Sequence, residues 1–329
     1  QIMVLKLMQK YGHKPIVLLG GGTTLIGDPS GKDSTRKILT EKEIKKNIKN
    51  IKKVFNKILD TSNKKTSPIF VDNFNWLGKL NYIDFLRNVG SHFTINKMLT
   101  FDSIKLRLDR EQSLSYMEFN YMILQAYDFY QLFKSKNCIL QIGGSDQWGN
   151  IVNGVDLVRR VLKKESFGVT TPLITLASGA KMGKTEKGAV WLDEKLFSFS
   201  GYWQFWRNTD DRDVKSFLNF FTEINSEKIN KIVANEKNIN KLKILLANEA
   251  TKILHGSTAA KKAEKTAVET FRSQGSGINL PEIKIKKNDF KNGVAILDLL
   301  SSNNVLSSKS EARRAIKGNA IKIDNKLII

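Results

Sequence analysis

Two apolar runs in this chain end in glycine, and each leads toward a segment with helical spacing. "IVLL", Ile16–Leu19, runs into Gly20, Gly21 and Gly22, and "CILQI", Cys138–Ile142, runs into Gly143 and Gly144. A short apolar run bounded by proline or glycine reads as a buried strand, and Pro15 opens the first of these. Helical spacing surrounds them. Residues 1–11 place apolar side chains at Ile2, Leu5 and Met8 and stop at Gly12, residues 41–59 are basic and amphipathic, and residues 113–133 and "IVNGVDLVRRVL" (151–162) continue the pattern. "SPIFVDN" (67–73) reads as another strand. The order predicts an α/β fold with an open, largely parallel, Rossmann-like sheet whose ligand sits beyond the carboxyl ends of the strands.

The turns that follow those strands are therefore where chemistry is expected. Gly20–Gly22 lead into "LIGDPSGKDSTRK", Leu25–Lys37, which looks built to hold phosphate. A P-loop needs glycine, four residues, then Gly-Lys-Ser/Thr, because its amides wrap the phosphates while the lysine and hydroxyl serve phosphate and magnesium. Counting back from Gly31 and Lys32 puts Ile26 where the first glycine belongs, and Asp33 stands where the hydroxyl belongs. The segment is not a P-loop. It reads either as a place where backbone approaches an anionic ligand or as an ordinary surface turn.

With 329 residues the chain is long enough for two or three domains. The first runs over 1–195. After "AVWLD" only helical patterns follow, with aromatics at Phe197, Phe199, Trp203, Phe205 and Trp206, which predicts an all-helical domain over 196–275. The polar stretch "SQGSGINLPEIKIKKNDF" leads into a third small α+β unit, 276–329, with two short helices and a hairpin turning at Asp324-Asn325. Lys and Arg outnumber Asp and Glu by 54 to 32, a net +22, which suits a polyanionic partner and equally suits a lysine-rich surface. No apolar run approaches a membrane span, and the single cysteine, Cys138, excludes an internal disulfide framework.

Three segments carry groups that could act on a ligand. On the helix 113–133, Tyr121, Gln125 and Asp128 stand at i, i+4 and i+7, a stripe of phenol, amide and carboxylate that needs partners if buried and water if not. In "QIGGSDQWGN" the glycines permit close approach, and Asp146 and Gln147 offer polar side chains; an acid at such a loop suits a ribose hydroxyl, and also an ordinary helix cap. In "LASGAKMGKTEKGAVWLD", Lys181, Lys184 and Thr185 are interleaved with glycines, as in a loop that brings cations to a polyphosphate or as in an exposed basic loop.

In order, "GDPSGK", "YMILQAYDF", "QIGGSDQWGN" and "KMGKTEKGAVWLD" resemble the bacterial and organellar tyrosyl-tRNA synthetases, with "KMGKT" standing where class I aminoacyl-tRNA synthetases carry KMSKS. The resemblance runs over essentially the whole chain. It implies that Asp28 holds the α-ammonium of tyrosine together with Tyr121 and Gln125, that Asp128 accepts the phenolic hydroxyl, and that Gln147 contacts the carboxylate region. It places Gly144 and Asp146 on the ATP ribose, Lys32 and Arg36 at the pyrophosphate end of ATP, and Lys181, Lys184 and Thr185 over the leaving pyrophosphate. Magnesium would arrive with ATP, with no protein-bound metal; the partners implied are tyrosine, ATP, the tyrosine tRNA and a second copy of the chain, in a bacterial cytosol or an organelle and away from membranes. Adenylate formation needs in-line geometry and cations rather than a protein nucleophile. The tyrosyl enzymes are themselves the standing example of a site that reads a hydroxyl. The related tryptophanyl enzymes share the fold, but their substrate has no phenol for Asp128; a non-catalytic, splicing-type RNA-binding protein on the same scaffold has no use for the intact substrate stripe.

The family's HIGH signature and first strand, with a tyrosine that also contacts the phenol, are not among these residues. The helix beginning at Gln1 matches the one after HIGH, so the expectation is a fragment impaired in ATP binding and a longer natural protein. "LLSSNNVLSSKSEARRAIKGNAIKIDNK" resembles the αL-type RNA-binding domain, and Lys309, Arg313 and Lys317 recur every four residues, with Arg314 beside them and Gly318 closing the helix.

Overall fold

Gly12, at φ +89°, turns the chain from α1 (Ile2–Lys10) into β1 (Ile16–Leu19). In the computed structural model the described residues are 1–27, 39–179, 182, 184–185, 188–272, 293–303, 305–306, 308–318, 320–324 and 326–328. They divide into two compact units, Gln1–Gly256 and Ser257–Ile329. Asp28, Lys32, Arg36 and Lys181 lie outside the described residues.

In the first unit β1 pairs in parallel with β2 (Ile69–Asp72), Ile16 opposite Ile69 and Leu19 opposite Asp72. Helix α2 (Glu41–Ile58) crosses between them. It begins where Thr40 accepts from the Glu43 N–H while Glu43 returns to the Thr40 N–H, a reciprocal capping box. Its apolar side, with Ile48 and Phe55, packs against Val17, Leu19 and Leu59 together with Ile2 and Leu5 of α1. Residues 74–109, where the spacing predicts no element, form four short helices: α3 (Phe74–Leu77), α4 (Tyr82–Asn88), α5 (Ile95–Met98) and α6 (Asp102–Asp109). They close a core of Val89, Met98, Ile104, Met122, Ile123, Ala126 and Leu157, to which each fully buried aliphatic side chain contributes roughly 1.5–3 kcal/mol.

Helix α7 (Tyr116–Lys136) packs along α8 (Trp148–Leu162), and α8 is the crossover of a second parallel pair, β3 (Leu140–Gly144) with β4 (Phe167–Thr171). The single open sheet read from the sequence is thus seen as two parallel pairs, with no ladder joining them among the described residues.

A small antiparallel hairpin, β5 (Lys184–Thr185) and β6 (Gly188–Ala189), precedes the helical part of the unit: α9 (Phe199–Arg207), α10 (Val214–Phe221), α11 (Ser226–Asn235) and α12 (Ile239–His255). Its core is aromatic. Trp206 lies 5.9 Å from Phe217 and 4.8 Å from Phe221, and Trp203 donates to Asn248 at 2.7 Å. The second unit holds α13 (Ser257–Arg272), α14 (Ile296–Ser302), α15 (Lys309–Lys317) and the hairpin β7 (Lys322–Ile323) and β8 (Lys326–Leu327). The expected turn position Asp324 has φ +48°, while Asn325 lies outside the described residues. Among the described residues no helix is long and apolar enough to cross a membrane.

One buried ion pair sets where α7 begins. Glu118, at the third helical position, accepts from the Ser115 N–H at 3.0 Å and hydroxyl at 2.9 Å with one oxygen, and from Arg107 of α6 at 3.1 Å with the other. Burial raises the Glu118 pKa, but the Ser115 and Arg107 donors outweigh it and hold the carboxyl below the usual 4.5. A depressed acid stabilises the fold fully above its unfolded value, here about pH 4.5, and that stability is lost as pH falls through the lower folded value. Arg107→Ala leaves Glu118 as an uncompensated buried charge and is expected to cost about 3–5 kcal/mol in urea unfolding at neutral pH, with the gap from the parent narrowing as pH falls below about 4.

Candidate active site

The carboxyl ends of β1 and β2 are joined by side chains of the second strand. Asp72 accepts the Gly21 N–H at 3.1 Å and the Phe74 N–H at 2.9 Å; a methyl on Gly21 would stand 2.1 Å from that carboxylate, so only glycine fits. The next residue, Asn73, uses its whole amide. Its oxygen accepts the Gly22 N–H at 2.7 Å and the Thr23 N–H at 3.4 Å, and its nitrogen donates to the Thr23 hydroxyl at 3.0 Å and to Asp128 at 2.8 Å. The other Asp128 oxygen accepts from the Trp76 indole N–H at 2.7 Å.

Asp128 is 2% exposed and Asn73 1% exposed, yet neither is unsatisfied. Burial pushes the Asp128 pKa up to about 7, against the opposing pull of the Asn73 and Trp76 donors. An ionised carboxylate offers about four acceptor directions, so these two donors leave capacity for a third.

A second polar cluster extends the same face of α7. The buried Asn150, in the first turn of α8, donates to Gln125 at 3.0 Å and to Gln147 at 3.2 Å, and Gln147 donates to Asp146 at 3.4 Å. Gly144 ends β3, and Ser145–Gln147 form one 3-10 turn before α8, so the anticipated loop is shorter than its glycines suggest. Tyr121 is half-buried one turn before Gln125. The structure therefore brings Tyr121, Gln125 and Asp128 onto one helix face, with Gly144, Asp146 and Gln147 at the end of the neighbouring strand. Lys184 and Thr185 form β5, paired with Ala189 and Gly188.

Four residues of this region are absent from the sequence-based set: Thr23, Asn73, Trp76 and Asn150. Asn73 was within reach, because it directly follows a strand that ends in "VD", at the carboxyl edge where parallel sheets bind ligands. Asn150 was not, since only the packing of α8 on α7 turns it toward Gln125. Among the described residues no three His, Cys, Asp or Glu side chains converge into a metal cluster.

In the second unit, α15 starts at Ser308, whose hydroxyl accepts the Glu311 N–H at 3.1 Å, and buries Ala312. Lys309, Arg313, Arg314 and Lys317 are all exposed. Lys309 is bound to the Asp298 carboxylate of α14, whereas Arg313, Arg314 and Lys317 form no ion pair among the described residues.

The family of class I tRNA synthetases for tryptophan and tyrosine matches residues 1–272. The chain is 63% identical to the tyrosine–tRNA ligase of Pelagibacter ubique (strain HTCC1062) over 328 residues, covering 100% of this chain and 80% of that protein. It is 53% identical to that of Zymomonas mobilis over 325 residues, 98% of this chain and 78% of the relative. Among solved structures, a C-terminally truncated mitochondrial tyrosyl-tRNA synthetase of Aspergillus nidulans superposes with a TM-score of 0.73 at 28% identity, covering 82% of this chain and 80% of the other.

For Asp128 the sign of the pH effect follows from its elevated pKa. An acid raised from 3.8 to about 7 contributes most to folding when protonated, and that contribution is lost as pH rises through about 7. A carboxyl-carbon NMR titration of ligand-free protein is expected to show Asp128 with a midpoint near 7; a midpoint near 3.8 would mean that the Asn73 and Trp76 donors cancel the effect of burial.

Proposed function

The chain belongs to the class I tRNA synthetases of the tryptophan and tyrosine type, and we infer that its reaction is tyrosine–tRNA ligation. The substrate carboxylate attacks the α-phosphorus of ATP, pyrophosphate leaves, and the resulting tyrosyl-adenylate passes its acyl group to a ribose hydroxyl at the 3′ end of the tRNA. The observation that carries tyrosine is Asp128: a buried carboxylate, oriented by Asn73 and Trp76, with acceptor capacity left for a phenol O–H.

The remaining roles form one scheme. Asp28, Tyr121 and Gln125 hold the ammonium, and Gln147, steadied by Asn150, lies at the carboxylate. Gly144 and Asp146 take the ATP ribose. Lys32, Arg36, Lys181, Lys184 and Thr185 supply the cations and hydroxyl along the phosphates, where charge builds in the transition state. Magnesium comes with ATP as part of the substrate. Residues 1–195 form the catalytic part, 196–275 a helical anticodon-binding part and 276–329 the αL-type part, where Arg313, Arg314 and Lys317 face RNA. The setting is the bacterial cytosol.

The working form is a homodimer. Tyr82, Ile83, Ile95, Leu106, Leu108 and Tyr116 expose 47–67% of their surface along the consecutive segments of α4 to α7, and the Tyr82 and Tyr116 hydroxyls lie 3.1 Å apart. A set of apolar side chains of this extent on a non-membrane surface suits a partner.

The test is tyrosine-dependent exchange of pyrophosphate into ATP by the natural reading frame that contains these residues. Exchange driven by tryptophan instead, or no exchange alongside retained RNA binding, would refute the assignment. Asp128→Ala is expected to lower the ratio of kcat/KM for tyrosine over phenylalanine by about 10- to 100-fold; an unchanged ratio would remove Asp128 from the phenol. The double substitution Ile83→Asp with Tyr116→Asp is expected to halve the solution mass measured by analytical ultracentrifugation, and an unchanged mass would place the interface elsewhere.

A further inference from the structure

The three acids of "TDDRDV" face three different ways. Asp210 binds the Arg212 guanidinium at 2.9 Å, and the exposed Asp211 pairs with the partly buried Lys243 at 2.5 Å. Asp213 is buried, 8% exposed, at the N-cap of α10. An aspartate there ordinarily turns back to accept an N–H of its own first turn. This one makes no such bond. Its carboxylate instead accepts the Ala177 N–H at 2.9 Å, across 36 residues.

Ala177 lies in the arm that leads into Lys181–Thr185. Beyond it the chain turns on itself, with the Gly179 N–H donating to the Leu176 carbonyl at 2.8 Å and Gly179 at φ +82°, and the Met182 N–H reaches back to Ile174 at 3.1 Å. Helix α10 is the firm partner in this contact. Val214, Phe217 and Leu218 are all buried, and Phe217 meets Trp206 edge-on at 5.9 Å.

We propose that Asp213 is a positioning residue for adenylate formation: by giving up its cap to bind Ala177, it fixes the arm before Lys181–Thr185 to the helical layer. This rests on the reading of Lys181, Lys184 and Thr185 as groups that meet the pyrophosphate. The contact touches no substrate, and the tyrosine-facing side chains of α7 hang on a different network, through Asn73 and Asn150. Its effect is therefore confined to the phosphate end of the reaction, where small displacements of charged groups are costly.

Three variants separate the tie from the cap. Asp213→Ser keeps a good helix cap but is too short to reach Ala177; Asp213→Asn keeps an acceptor of the same length; Asp213→Ala removes both. In tyrosine-dependent pyrophosphate exchange by the full natural chain, Ser and Ala are expected to lower kcat by about 10- to 100-fold with KM for tyrosine unchanged, and Asn to restore most of the rate. Amide hydrogen exchange at Ala177 is expected to quicken in Ser and Ala and to stay slow in Asn. A kcat within twofold of the parent in Asp213→Ser, or a fall in kcat matched by an equal rise in KM for tyrosine and a lower Tm, would overturn the role. Lys184→Ala serves as the control. If the parent exchanges and Lys184→Ala is slow while Asp213→Ser is not, the positioning role alone fails; a parent that does not exchange, or an unimpaired Lys184→Ala, refutes the reading beneath it.

Discussion

The ends of β1 and β2 and the buried Asp128 are tied together by one amide. Asn73 stands at the end of β2 and spends both halves of its side chain: the oxygen on the backbone N–H groups that follow β1, the nitrogen on Thr23 and Asp128. Strand pairing brings the two carboxyl ends together, but strand pairing alone leaves the glycine turn and α7 free to shift. The Asn73 amide locks both at once. It also lets Asp128 remain buried, because a carboxyl there without donors would carry the full desolvation cost.

Orientation matters more than strength in this arrangement. Asn73 and Trp76 are neutral donors, so they direct the Asp128 carboxylate without cancelling its charge, and burial raises its pKa to about 7. A guanidinium in their place would hold the acid down and occupy its acceptor directions. The chain uses that other solution where an acid has only a structural duty: Glu118 is paired with Arg107 and lies below its usual value. Two buried acids on the same helix thus take opposite electrostatic states, Asp128 raised by burial and Glu118 held down by its Ser115 and Arg107 donors.

The helical part of the first unit is more than an appendage to the sheet. Asp213 reaches from α10 to the arm before the KMGKT segment, and Glu194, beyond it, lies 3.8 Å from both Lys57 of α2 and His255 of α12. Both flanks of that segment are thereby referred to elements outside it.

Local order was legible in the residues themselves. The helical spacing of α2, α7 and α8, the strand that becomes β1, and the stripe of Tyr121, Gln125 and Asp128 all follow from interactions between near neighbours, which spacing reveals. The four ordered motifs carried the family for the same reason, since each is a contiguous stretch. What required the folded chain was every partner supplied from afar: Asn73 and Trp76 for Asp128, Asn150 for Gln125 and Gln147, Arg107 for Glu118, and Ala177 for Asp213. Periodicity reports which face of an element is buried; it is silent on which distant side chain arrives there, and burial makes that arrival decide protonation, orientation and hence function.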